Sequence, residues 1–200
     1  MDPRFIKSIE PLERTFYGQN TAVVAFELIG KILSFEQNGH VFQGKIIETE
    51  AYFGTQDPAS HAYRGPTPRA KVMFGPPGFS YVYFTYGNHH CLNVVTEKKD
   101  TAGAVLIRAL EPLSEIELMK KRRSTNDLKN LTNGPGKLTQ AFGITRDHSC
   151  KDLTHRSFCI SENVEREPLS IQVTKRIGIS RAKELPYRFY LMSSPFVSRR

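Results

Sequence analysis

The stretch Leu33-Ser34-Phe35-Glu36-Gln37-Asn38-Gly39-His40-Val41-Phe42-Gln43-Gly44-Lys45-Ile46-Ile47-Glu48-Thr49-Glu50-Ala51-Tyr52 decides the architecture. Asn38-Gly39 is the dipeptide of a tight hairpin turn, because both residue types tolerate positive φ. It separates a short predicted strand at Leu33–Glu36 from a longer one at Val41–Thr49, and the β character continues to Tyr52. Side chains alternate along a strand, so Glu48, Glu50 and Tyr52 share one face. Acidic residues are depleted from strands, and two beside an aromatic on one face need a reason. Two readings stand. The pair is the charged pattern of a solvent-facing edge, or one carboxylate is placed to deprotonate a water.

Upstream, residues 20–33 read as a helix. Asn20 or Thr21 is the N-cap, Ala22, Ala25, Phe26 and Ile29 form the apolar stripe, and Gly30 closes it. Downstream, residues 53–78 contain five prolines and little periodicity, which predicts a long ordered loop with short helical turns. Loops of that length in a compact domain usually carry function. Strands follow at Ser80–Tyr86 and Cys91–Thr96, joined through Gly87-Asn88, and at Gly103–Leu110. Ser114–Arg123 and Lys137–Phe142 read as helices, the second opened by Gly134-Pro135-Gly136, and Ile171–Thr174 and Tyr187–Leu191 as late strands. With no internal repeat and no low-complexity linker, residues 1–200 are expected to form one domain of mixed strands and helices around a single sheet.

Composition narrows the partners. The formal charge of +8 over 200 residues favours a polyanion. Apolar runs such as Ala104–Ile107 are too short to span a bilayer, so no membrane partner is expected. The Met1-Asp2-Pro3-Arg4 start lacks an apolar signal core, and Cys91, Cys150 and Cys159 form no CxxC pair. Both fit a reduced, cytoplasmic setting rather than secretion.

Two further stretches carry chemistry. In Phe79–His90, Tyr81 and Tyr83 share one strand face while Val82 and Phe84 share the other, expected to be core. Tyr86 sits against Gly87 at the hairpin tip, where a ring has little to pack on and is able to wedge between base steps. In Val105–Pro112, Arg108 interrupts an apolar strand. A buried arginine requires a carboxylate or phosphate, so it is either a structural ion pair or the orienter of an active site. The Lys120-Lys121-Arg122-Arg123 run reads as a solvated helix face that helps steer a polyanion. Gly136-Lys137 lacks the earlier glycine and the Ser or Thr of a nucleotide-binding loop. His89-His90-Cys91 lacks ligand spacing, so no metal is expected.

Taken in order, several motifs are specific. They are Ile46-Ile47-Glu48-Thr49-Glu50-Ala51-Tyr52, His61-Ala62-Tyr63-Arg64-Gly65, Met73-Phe74-Gly75-Pro76-Pro77-Gly78 and Tyr81-Val82-Tyr83 with Tyr86-Gly87. Cys91-Leu92-Asn93-Val94-Val95, Leu106-Ile107-Arg108-Ala109-Leu110-Glu111-Pro112 and Asn133-Gly134-Pro135-Gly136-Lys137-Leu138 follow, then Tyr187-Arg188-Phe189-Tyr190 and Ser194-Pro195-Phe196-Val197. From about Pro11 onward the chain resembles the alkyladenine DNA glycosylase family, also called 3-methyladenine or methylpurine DNA glycosylases. It lacks the long N-terminal extension of eukaryotic members, as a bacterial member would.

The resemblance implies an α+β fold, a single domain with a curved, mainly antiparallel β-sheet surrounded by helices. It implies no cofactor and a monofunctional enzyme acting as a monomer on double-stranded DNA that contains damaged purines. By the same resemblance Glu50 is the general base for the water that attacks C1′, and Arg108 orients it. Tyr52, His61 and Tyr83 wall the flipped base, Asn93 excludes normal guanine, and Tyr86 intercalates. Thr67, Arg69, Lys137 and Ser194 fall at or near backbone-contact positions. Two positions depart from the pattern. Asn88 replaces a larger apolar residue, so a narrower wedge is expected, and Ala70 stands where the family often has Asn. An alkylated purine is often cationic, and cation–π attraction to Tyr52 and Tyr83 is worth about 0.5–2 kcal/mol per ring. No lysine or N-terminal proline is placed as an amine nucleophile, so a Schiff-base step is not expected. The competing readings are a catalytically silent damaged-DNA-binding module on the same fold and a hydrolase of free nucleosides.

Overall fold

The computed structural model describes residues 10–85, 87–164 and 168–199. Its centre is the hairpin that the Asn38-Gly39 turn creates. Asn38 and Gly39 have φ of 53° and 77°, as such a turn requires. They join β1 (Ile32–Gln37) to β2 (His40–Phe53). β2 is long because it serves two neighbours on one side. Its first half pairs with β1 and its second half, Glu48–Glu50, pairs with β9 (Arg188–Leu191).

The other side of β2 pairs with β5 (Gly103–Pro112), which continues to β4 (His89–Val95) and then β3 (Ser80–Thr85). On the far flank β1 pairs with β7 (Phe158–Ser161), and β7 with β6 (Thr154–His155). β8 (Ile171–Thr174) extends β9. Every pairing is antiparallel, and the sheet curls into a half-barrel. β2 is therefore no edge, which removes the solvent-facing reading of its acidic residues.

Among the described residues four α-helices cover the sheet: α1 (Arg14–Tyr17), α2 (Thr21–Glu27), α3 (Ile116–Arg123) and α4 (Pro135–Phe142). Asn20 caps α2 by accepting from the Ala22 N–H at 3.0 Å. That helix is shorter than its periodicity predicts. Gly30 (φ 89°) turns the chain, and its N–H leaves the helix to bond Ile46 O at 2.7 Å. The buried stripe is Val24, Ala25, Leu28 and Ile29, whereas Phe26 is exposed. α4 begins at Pro135, whose missing N–H costs nothing at the first helical position. It docks on β4 where Thr139 Oγ1 donates to His90 O at 3.0 Å.

The main core lies between the sheet and these helices, with Leu28, Ile46, Ile47, Ile107, Leu110, Leu138 and Phe142 all fully buried. A smaller cluster of Ala62, Met73, Tyr81, Val95 and Ala104 seats the 53–78 loop against the β3–β5 end of the sheet. That loop contains the expected short turns, at His61–Arg64 and Lys71–Phe74. No helix of the described residues is long and apolar enough to cross a membrane.

Candidate active site

Two opposed bulges shape the site. The register runs Ile46↔Leu110, Glu48↔Ala109 and Thr49↔Ile107, so Ile47 is the extra residue on β2 and Arg108 the extra one on β5. A bulge lets a strand re-aim a side chain without losing its ladder. Here it turns Arg108 to the face that carries Glu48 and Glu50.

Both carboxylates are fully buried. A buried charge is tolerated only when paired and hydrogen-bonded, and these are. Arg108 bridges them, Nε donating to Glu48 Oε1 at 3.0 Å and Nη1 to Glu50 Oε2 at 3.2 Å. Glu48 also accepts from Arg188 Nε at 2.8 Å, from Ser198 N at 2.7 Å and from Ser198 Oγ at 2.9 Å. Glu50 accepts from Ile177 N at 2.8 Å through Oε1 and from the Tyr52 hydroxyl at 2.7 Å through Oε2. Burial pushes the Glu50 carboxyl above its ordinary value, against the lowering effect of Arg108, the Ile177 N–H and the Tyr52 hydroxyl. The Glu48 charge adds to the upward push.

Three of the groups that hold Glu50, namely Tyr52, Arg108 and Ile177, also line a cavity of about 290 Å³. His61, Tyr83 and Asn93 are also among its walls. His61 is fixed by Tyr81, whose hydroxyl is 2.8 Å from Nδ1, and it meets the Tyr83 ring edge-on at 4.6 Å. Burial, and then the Arg69 charge, lower its pKa to about 4, so the imidazole is neutral at pH 7. The Asn93 amide nitrogen donates to Tyr81 O at 3.0 Å and Cys91 O at 3.4 Å, which locks the side chain in the wall. A second, larger groove of about 830 Å³ shares Tyr81 and Tyr83 with this cavity. Its lining includes Arg69, Phe79 and Arg146 but not Arg108 or Tyr52, so the acid–base chemistry belongs to the smaller space.

The family model for methylpurine-DNA glycosylase matches residues 15–195. The chain belongs to that family. A protein of Prosthecochloris aestuarii is 49% identical over 187 residues, covering 93% of this chain and 90% of its own length. One of Carboxydothermus hydrogenoformans is 49% identical over 192 residues, covering 94% and 99%. One of Methanoculleus marisnigri is 46% identical over 192 residues, also covering 94% and 99%. Each bears the name "Putative 3-methyladenine DNA glycosylase". The protein is thus a DNA-repair glycosylase, a DNA-binding hydrolase of N-glycosyl bonds.

Within this methylpurine-DNA glycosylase the remaining sequence-predicted residues, among those described, do not line the smaller cavity. Thr67 and Arg69 are exposed, with Thr67 Oγ1 accepting from Ala70 N at 3.3 Å and the Arg69 guanidinium 4.8 Å from the Tyr83 ring centre. Lys137 donates to Asn130 and Asn133 side chains at 2.5 and 2.8 Å. Ser194 is buried, its hydroxyl accepting from Phe196 N at 3.2 Å within the C-terminal turn. Tyr86 lies outside the described residues. Phe84, expected in the core, is instead exposed, its ring 4.9 Å from that of His90 across the β3–β4 hairpin.

Sequence reasoning missed the groups that support the site. Arg176 and Asp57 form a buried ion pair, with Nη1–Oδ2 at 2.6 Å and Nη2–Oδ1 at 2.8 Å. Asp57 accepts from Phe53 N and Ala59 N, and so folds the start of the 53–78 loop. Arg176 lies 4.6 Å from the Tyr52 ring centre and precedes the Ile177 N–H that holds Glu50. Arg188 and Ser198, which hold Glu48, were also unforeseen in this role. Asp57-Pro58 signals a turn, but nothing in the sequence points from it to Arg176.

Proposed function

We propose that the enzyme flips an alkylated or deaminated purine out of duplex DNA and hydrolyses its bond to deoxyribose with a water activated by Glu50. The lesion class comprises 3-methyladenine, 7-methylguanine, hypoxanthine and ethenoadenine. One observation carries the reading: a carboxylate held by three donors that themselves line an aromatic-walled cavity. Among the described residues Oε1 of Glu50 accepts only the Ile177 N–H. That leaves it lone-pair capacity for a water proton. Burial raises the basicity of the carboxylate, which suits a general base, while the Arg108 charge favours its ionised form.

In this reading the flipped purine lies between Tyr52 on one side and His61 with Tyr83 on the other. Asn93 crowds the exocyclic amine of normal guanine. Tyr86 fills the gap left in the stack, and Thr67, Arg69 and Lys137 meet the backbone. Extrusion costs a few kcal/mol and costs least at damaged or mispaired bases, which adds selectivity. The enzyme acts as a monomer in the cytoplasm.

The test is base release from duplexes that each carry one hypoxanthine, ethenoadenine or 7-methylguanine, read as alkali-labile abasic sites. Release of at least one base is expected. Glu50→Gln is expected to retain DNA binding while single-turnover release falls by about 10²–10⁴-fold. A silent binding module would bind all of these duplexes and release none.

A further inference from the structure

We infer that Arg69 is a specificity-determining residue, which lowers the preference of this site for positively charged bases by occupying the back of a ring that a cation would otherwise use. The inference rests on the proposed placement of the base between Tyr52 and Tyr83. Each of these rings carries a guanidinium. Arg176 lies 4.6 Å from the centre of Tyr52, and Arg69 lies 4.8 Å from the centre of Tyr83. Neither arginine lines the smaller cavity, whereas Arg69 lines the neighbouring groove that shares Tyr83 with it. Each guanidinium therefore meets its ring from outside the cavity, and the cavity itself is left for the base.

Two physical consequences follow. A guanidinium draws π density toward itself, so the front of the ring offers a weaker negative potential to a second cation. A base stacked at about 3.5–4 Å on the front also lies roughly 8–9 Å from the guanidinium behind, about one screening length at physiological salt, and the intervening ring is protein, where screening is weaker than in water. Neutral purines lose nothing by either effect, because stacking and dispersion do not depend on net charge.

The two arginines are not equivalent. The Arg176 charge is matched by Asp57, with which it forms a buried pair. Arg108 is matched by Glu48 and Glu50. Among the described residues Arg69 has no carboxylate partner, so its charge reaches the cavity least compensated. His61 registers it: burial first, then the Arg69 charge, oppose protonation of that imidazole.

The experiment compares single-turnover release of 7-methylguanine, a cation in DNA, with release of hypoxanthine, a neutral base, from otherwise identical duplexes. Arg69→Gln removes the charge from an exposed side chain, so the fold is expected to survive, as its melting temperature would report. Any phosphate contact made by Arg69 affects both duplexes alike and cancels in the ratio. The ratio of 7-methylguanine to hypoxanthine rates is expected to rise about threefold or more in Arg69→Gln. In Arg69→Lys, which keeps the charge, it is expected to stay closer to the original. An unchanged or lower ratio, with both rates reduced together, would show a backbone contact alone and overturn the inference. If the unaltered enzyme released neither base, the proposed function would fail instead.

Discussion

Tyr52 shows how one residue serves three ends of the site. Its ring forms a wall of the cavity, its back carries Arg176, and its hydroxyl donates to Glu50 at 2.7 Å. A hydrogen bond to the charged form lowers a carboxyl pKa. Removing it in Tyr52→Phe therefore raises the Glu50 pKa further above its ordinary value. A general base works when ionised, so the acid limb of the pH–rate profile should move to higher pH in Tyr52→Phe, with the plateau at alkaline pH less affected. Single-turnover rates across pH 4–9 would show it, and an unmoved limb would detach Glu50 from the observed titration. The Glu48/Glu50 pair and Arg108 stood out in the sequence because charge stood where a strand rarely carries it without a partner. Arg176 was not legible, because its partner Asp57 is 119 residues away and only the folded sheet brings them together.

At the scale of elements, the start of the 53–78 loop is tied to the segment after β8 by one buried ion pair. Asp57 ties Phe53 N, Ala59 N and Arg176 into one buried node. Removing one partner of a buried pair leaves the other charged and desolvated, typically at a cost of about 3–5 kcal/mol. Asp57→Ala should thus lose about that much in urea unfolding and should also slow base release, since His61 and Ile177 flank the node on either side. Asp57→Leu combined with Arg176→Met should regain most of the stability, as apolar replacements of buried pairs commonly do. Little recovery would mean that the backbone contacts of Asp57, and not the ion pair, set the cost. The strands around Asn38-Gly39 were readable because the turn fixes their register. β6 and β7 were missed because segments of two and four residues give no period to count, and they exist through pairing with β1 and its neighbour. The bulges at Ile47 and Arg108 were equally silent, since a bulge is a relation between two strands.

For the whole molecule, a formal charge of +8 says that a polyanion is attracted but not which cations touch it. The Lys120–Arg123 run, read from sequence as a solvated face, is largely engaged in the fold. Arg122 lies 4.4 Å from the Phe42 ring centre and donates to Gln37 and Ala141 O, Arg123 donates to Gln140, and Lys120 pairs with Glu117. Lys137 is different. It stands at the start of α4 beside Pro135, a residue of the cavity wall, and among the described residues its ammonium is held by two asparagine oxygens and no carboxylate. An ammonium oriented in advance loses little entropy when it meets a phosphate, and each phosphate neutralised adds about 0.9 to the slope of log K against log salt. Lys137→Ala should therefore weaken binding to lesion and undamaged duplexes alike and reduce that slope by about 1. Lys120→Ala, which breaks only a surface pair with Glu117, should leave the slope nearly unchanged. Fluorescence anisotropy titrations from 50 to 200 mM salt would separate the two. An unchanged slope for Lys137→Ala would remove Lys137 from the DNA contact surface.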